Sequence, residues 1–166
     1  ITCKIETTYG TDITPAVGTD DLLVANFSVT PINIRYAERN TALPYFGSRG
    51  QINVGETMQM EFDIEIAGAG AVATAPAYKA AMRACAMAET ITPATGPVTY
   101  SLISDAEESA SIYFYWDGVL HKMLGSRGTI EWRLSEGAIP VMHFAFEGIY
   151  GGVTAVSPGS PVLTAF

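Results

Sequence analysis

Basic side chains are scarce in this chain: 9 Lys and Arg stand against 17 Asp and Glu in 166 residues, a formal net charge of −8. Tight phosphate binding needs clustered Lys and Arg to release counterions, so the acidic balance argues against a protein that grips nucleic acid. Charge of either sign is low, at 16% of residues against roughly 25% in soluble domains. A free-standing domain covers itself with Lys and Glu, so the shortage implies that much surface is buried against other copies. Cys3 and Cys85 are the only cysteines. Two thiols so far apart make no disulfide framework, and neither stands at metal-ligand spacing to a histidine; they read as buried, inert thiols of a reducing compartment. No apolar run approaches the roughly 20 residues that span a bilayer, and no signal-peptide pattern opens the chain, so no membrane partner is expected. Ile1 in place of a methionine implies that further residues once preceded it.

Catalytic motifs are missing as well. There is no GxGxxG, Walker loop, HExxH, GxSxG or paired CxxC. His121 and His143 have no second histidine or carboxylate at zinc-ligand spacing. Ser101 or Ser104 can be paired on paper with His121, but a chain with this many serines always allows that. His121 reads as a hydrogen-bonding strand residue, and Glu107 and Glu108 as solvated loop carboxylates. The chain is read as a non-enzyme with neither cofactor nor metal.

What is present is a β pattern. Length argues for a single domain over 1–166, and an apolar content of 48% is enough for a core. Residues 1–21, rich in turn formers, read as an irregular arm, and 35–50 as a long loop. Leu22 to Ile34 reads as a strand pair broken near Pro31. From Thr57 to Ile66 the alternation is strict, with Met58, Met60, Phe62, Ile64 and Ile66 on one face. This predicts a half-buried strand of about 33 Å. Thr74 as cap, Pro76 in the first turn and a Tyr78, Met82, Cys85, Ala86 stripe predict a helix to about Met87. Lys79 and Arg83, on its neighbouring face, read as a solvated face or a subunit contact. Strands follow at 98–103, 109–116, 119–124, 129–135 and 139–147. Turns are expected at Asp117-Gly118, Gly125 to Gly128 and Glu136-Gly137. A second irregular arm is expected from Gly151 to Phe166. Strands every 8–12 residues indicate a mainly β sandwich or partial barrel flanked by one short helix. Its predicted core comprises Met58, Phe62, Ile64, Trp132, Leu134, Phe144 and Phe146.

The polar face of the long strand carries Glu61, Asp63 and Glu65 about 6.5–7 Å apart, which repel one another and need hydration. An ordinary solvent face intersperses Lys with Glu, and none occurs between Thr57 and Glu65. Three readings stand side by side: a plain solvent face, a functional acidic face, and a calcium site, the last disfavoured because calcium prefers loop ligands.

Several stretches resemble, in order, the tail tube protein of long-tailed bacteriophages: KIETTYGTD, FSVTPINIRYAER, ETMQMEFDIEIAGAG, APAYKAAMRACAMAETI, and the run from IYFYWDGVLHKMLGSRGT to IPVMHFAFEGIYGG. The likeness covers roughly residues 3–152. One departure is that the family often carries a glycine where this chain reads Ala84-Cys85-Ala86-Met87. The resemblance implies hexameric rings stacked into a hollow tube, with each subunit giving strands to an inner barrel. Six copies would carry six times −8, or −48, per ring. The implied lumen-lining residues are Gln59, Glu61, Asp63, Glu65, Glu131 and Glu147, with Arg133 the only base nearby. DNA would pass such a wall without specific binding, because like charge repels it within about 8 Å at physiological salt. The implied partners are other copies and the tail proteins at the tube ends. The implied place is the virion tail, assembled in the host cytoplasm. The arms at 1–21 and after Gly151, with the 35–50 loop, would owe their order to neighbouring subunits. An alternative of another class is a carbohydrate- or ligand-binding β-sandwich module with Tyr113, Tyr115 and Trp116 as its aromatic platform. The tube of a contractile secretion system would share the fold.

Overall fold

Strict alternation from Thr57 onward puts Met58, Met60, Phe62 and Ile64 on one face of a strand, and all four are buried. That strand is part of a computed structural model that describes residues 1–39, 41, 44, 47, 50–94, 96–157 and 159–161. Eight strands and one helix lie among the described residues: β1 (Thr2–Ile5), β2 (Ala25–Glu38), β3 (Gln51–Glu65), α1 (Lys79–Arg83), β4 (Met87–Ile91), β5 (Val98–Leu102), β6 (Ala110–Trp116), β7 (Val119–Arg133) and β8 (Val141–Ala155). Six strands form an antiparallel sheet in the order β1-β6-β7-β8-β3-β2, and β4 and β5 pair separately. The fold is mainly β and sandwich-like.

The core lies on the inner face of the six-stranded sheet. Phe62 of β3 meets Phe144 and Phe146 of β8, each at 5.7 Å between ring centroids. Phe27 of the edge strand β2 contacts Phe114 of β6 at 5.3 Å, although three strands separate β2 from β6 in the sheet. The sheet therefore curls strongly around this aromatic centre, as right-handed strand twist favours. Ala80, Ala81 and Met82 of α1 are buried in the same core, and the amide of Gly128 donates to the carbonyl of Ala84 at 3.2 Å.

Two tight features set the register. Asp117 (φ 48°) and Gly118 (φ 77°) both sit in the left-handed region, as a type I′ hairpin requires. The 125–128 stretch, expected as a turn, is instead a bulge inside one continuous 15-residue strand. Leu124 faces Ile149 and Arg127 faces Glu147, so β7 has one extra residue there, and Gly125 (φ 59°) supplies the left-handed position. Both half-strands stay paired to β8, which is why the chain bends without reversing.

Other expectations are corrected in the same way. Leu22 to Ile34 is no broken pair: β2 is one strand with a register shift between Thr30 and Asn33 that absorbs Pro31. The 35–50 loop loses Arg35 to Glu38 to β2; residues 40, 42, 43, 45, 46, 48 and 49 lie outside the described residues. The arm expected at 1–21 contains β1, paired to β6, and Cys3 donates its amide to Asp20 at 2.9 Å while Leu22 donates to Ile1 at 2.8 Å. Its order thus has a source within the chain. The arm expected from Gly151 begins as the end of β8; residues 158 and 162–166 lie outside the described residues. Thr74 does not cap α1: its hydroxyl donates to the Val72 carbonyl, and the helix starts after Tyr78 with no side-chain cap. It is only five residues long, ending at Arg83 with Ala84 as C-cap, and Ala86 (φ 57°) then turns the chain into β4 at Met87. Of the predicted core, Met58, Phe62, Ile64, Phe144 and Phe146 are buried, but Trp132 is 47% and Leu134 68% exposed. Trp132 faces Met142, and thus has the right phase, but it sits where the inner layer ends.

Candidate functional site

The six candidate residues fall on one face of the sheet. Gln59 pairs with Glu147, Glu61 with Ala145, Asp63 with His143 and Glu65 with Val141, while Glu131 of β7 pairs with His143. Because strand faces alternate with period two, all of these point away from the phenylalanine core. Gln59, Glu61, Glu131 and Glu147 are exposed and Glu65 is half-buried.

Asp63 departs from the expected hydrated row, being only 4% exposed. Asn26 donates to its Oδ2 at 2.7 Å, His143 Nδ1 lies 2.7 Å from Oδ1, and the Arg133 guanidinium lies 3.7 Å away. The Asn26 bond first, then His143 and Arg133, hold the Asp63 carboxyl below its ordinary range despite burial. Asn26 reaches it from a left-handed backbone position (φ 49°) at the irregular start of β2. Asp63 is therefore a structural pin between β2, β3, β8 and β7.

The face also holds more base than expected. The sequence points to Arg133 as the only base nearby, but Arg35 approaches Glu147 at 3.4 Å and Arg127 is the cross-strand neighbour of Glu147. Arg133 itself bonds Glu131 at 3.1 Å and lowers that carboxyl's pKa. Five carboxylates against three arginines leave the face only mildly acidic. Among the described residues, Glu61 and Glu65 have no ion-pair partner within 4.0 Å. Arg35 and Arg127 were missed because they fell in segments read as loop and turn; the alternation of Ile32, Ile34 and Tyr36 was the available signal for extending β2.

The sheet has two open flanks. β2 is its last strand, and β6 pairs with β7 only as far as Ser126, so Arg127 to Arg133 has β8 on one side and no strand on the other among the described residues.

Elsewhere the structure separates what the sequence grouped. Tyr113 is buried, its hydroxyl donating to Asp12, with Lys122 Nζ 2.9 Å from Asp12 and 5.0 Å above the Tyr113 ring. Trp116 is exposed and Tyr115 half-buried, so the three form no common aromatic platform. His121 stacks on Phe114 at 4.6 Å, and its buried Nδ1 has no hydrogen-bond partner among the described residues. Glu108 is not solvated alone but bonded by Arg83 at 2.7 and 2.5 Å, and Glu107 meets Arg127 at 3.3 Å. Among the described residues no group of three His, Cys, Asp or Glu side chains is placed to hold a metal ion. No family model and no curated protein matches the chain.

Proposed function

We propose that this chain is a self-assembling structural subunit, the tail tube protein of a long-tailed bacteriophage. Its copies close into rings and the rings stack into a tube. The observation that supports this best is the run β7-β8-β3-β2 of the six-stranded sheet, whose strands are 14–15 residues long and share a polar face, with β2 as the last strand on one side and Arg127 to Arg133 of β7 without a neighbouring strand on the other, among the described residues. An unpaired strand edge is a template for another chain. Two different open edges on one subunit join head to tail, which closes a ring when the rotation allows. The curved polar face then lines the bore, with Gln59, Glu61, Glu65, Glu131 and Glu147 on its surface and Asp63 fixing the wall beneath them. DNA passes along a hydrated, weakly acidic wall that offers phosphates no cluster of free cations.

The left-handed backbone at Ala86 adds support, since the tail tube family often carries glycine within that stretch. The module reading loses its aromatic platform to the burial of Tyr113.

Negative-stain microscopy and sedimentation of the purified chain test the proposal. Rings or tubes of constant bore are expected as concentration rises. A monodisperse monomer at every concentration and salt condition overturns it.

A further inference from the structure

We infer that Asp63 sets the angle at which copies join around the ring, because this one buried carboxylate ties both open flanks of the sheet together. The inference rests on the self-assembly reading above and names a positioning residue for it. Asp63 lies on β3, with β2 on one side and β8, then β7, on the other. Asn26 of β2 donates to its Oδ2 at 2.7 Å. Towards the other flank, His143 Nδ1 of β8 stands 2.7 Å and the Arg133 guanidinium of β7 3.7 Å from Oδ1. An ionised carboxylate only accepts, so His143 donates from Nδ1. Glu147 repeats the pattern with Arg35 of β2 at 3.4 Å, but both partners of that pair are exposed, and exposed pairs hold little. Asp63 is 4% exposed, where unpairing a hydrogen-bonded charge is costly.

The same contact holds the bend of β2. Ala25 faces Asp63 and Ser28 faces Glu61, so β2 carries one extra residue there, as a bulge does. Asn26 sits in it at φ 49° and turns its amide to Asp63. Phe27, the next residue, meets Phe114 of β6 at 5.3 Å between ring centroids. The bulge is thus clamped by a polar tie on one face of the sheet and an aromatic contact on the other.

Ring closure is sensitive to this bend. Six copies turn by about 60° each and seven by about 51°, a difference of about 9°. The twist between adjacent strands ranges from about 10° to about 35°, so an untied run of four strands has more slack than that difference. Backbone pairing joins each strand only to its neighbours. A single subunit count therefore needs a contact that fixes β2 relative to β7, and Asp63 makes it.

The test counts copies per ring for the full-length chain, by native mass spectrometry and by end-on electron microscopy of tubes. Asn26→Gly keeps the left-handed backbone and removes only the tie. It should lower the preference for the wild-type count over neighbouring counts by about tenfold or more, giving mixed rings or open arcs. Asn26→Asp sets one carboxylate against another and should do the same. Combining Asn26→Asp with Asp63→Asn exchanges acceptor and donor: the amide on β3 donates to β2 and still accepts from His143, so the single count should return. Ile112→Val on β6 trims the buried core without touching either flank. It should cost stability and keep the wild-type count, which separates the angle from stability alone. Where Asn26→Asp does not fold, Asn26→Gly, which adds no charge, decides. An unchanged count in Asn26→Gly, an exchanged pair that stays mixed, or an equally mixed Ile112→Val sample overturns this inference and leaves self-assembly standing. Failure of wild type to form rings at all overturns both.

Discussion

Glu6 accepts a hydrogen bond from the amide of Gly125 at 2.8 Å, joining the loop after β1 to the bulge in the middle of β7. The same carboxylate accepts from Ser111 at 2.8 Å, Ser109 at 2.6 Å and the Gly10 amide at 2.8 Å. It is buried with four donors and, among the described residues, no ion-pair partner, so hydrogen bonds stabilise its charge. Removing it strands buried donors at a bulge that sets the register of half the sheet. Glu6→Ala should therefore cost about 3 kcal/mol or more, and Glu6→Gln about 1–3 kcal/mol, because an amide presents N–H groups to donors. Urea unfolding of a non-assembling sample checks this; an unchanged midpoint for Glu6→Ala would refute it.

Acid should weaken the fold through its low-held carboxylates, Asp12 and Glu131 among them and the buried pair Glu6 and Asp63 foremost. At Glu6 burial pushes the carboxyl up, but the bonds from Ser109, Gly125, Ser111 and Gly10 outweigh it and the net direction is down. Asp63 is likewise held low, chiefly by Asn26. A depressed folded pKa means that the unfolded chain takes up the proton more readily. The contribution is thus complete above the unfolded carboxylate pKa of about 4 and is lost as pH falls through the folded value. Denaturation midpoints should be flat from neutral pH to about 5 and drop below about 4. Asp63→Asn should start lower and show a shallower acid limb; an equally steep limb in that variant and in Glu6→Gln would assign the loss to other carboxylates.

Ala86, between the end of α1 and the start of β4, holds a left-handed conformation that costs an L-residue about 1–2 kcal/mol. Ala86→Gly should relieve more strain than it adds in unfolded-chain entropy, for a gain of about 0.5–1 kcal/mol. A rise in Tm without change in assembly is expected. A fall would mean that the packing of the half-buried methyl group outweighs the strain.

The parts legible in the sequence were those that local periodicity encodes. Alternation from Thr57 onward, and at Met142, Phe144 and Phe146, gave both strands and their faces, because a half-buried sheet imposes period two on its residues. The Asp117-Gly118 turn was legible for a similar local reason. Gly125 misled because glycine serves a turn and a bulge equally, and only the pairing with the next strand, β8, decides between them. Trp132 and Leu134 misled because periodicity gives the face of a residue but not where the covering layer stops. Asp63 looked like Glu61 and Glu65 by position, yet its burial depends on Asn26, 37 residues away in the chain. Arg35 was hidden because it opens the 35–50 stretch, whose mixed charge, proline and glycine read as loop, whereas β2 runs on to Glu38.

Charge reversal in the proposed bore should separate its wall from its pins. Asp63 is unsuited, since lysine there would break the contacts with Asn26 and His143 and confront Arg133. Glu61 is exposed and Glu65 half-buried, and neither has an ion-pair partner among the described residues. Glu61→Lys with Glu65→Lys changes each copy by +4 and, in the implied ring of six, each ring by +24. Substitutions at exposed positions away from such pins usually shift stability by less than about 0.5 kcal/mol, so folding and tube formation should persist. The face, with three arginines already present, would become cationic, and DNA sliding past it would bind phosphates and release counterions at every ring. Phage carrying the double variant should build tails of normal length but eject DNA slowly, with partial recovery as salt rises. If the face is an ordinary outer surface, ejection stays normal and salt has no effect, and that result in virions with intact tails would remove these residues from the bore.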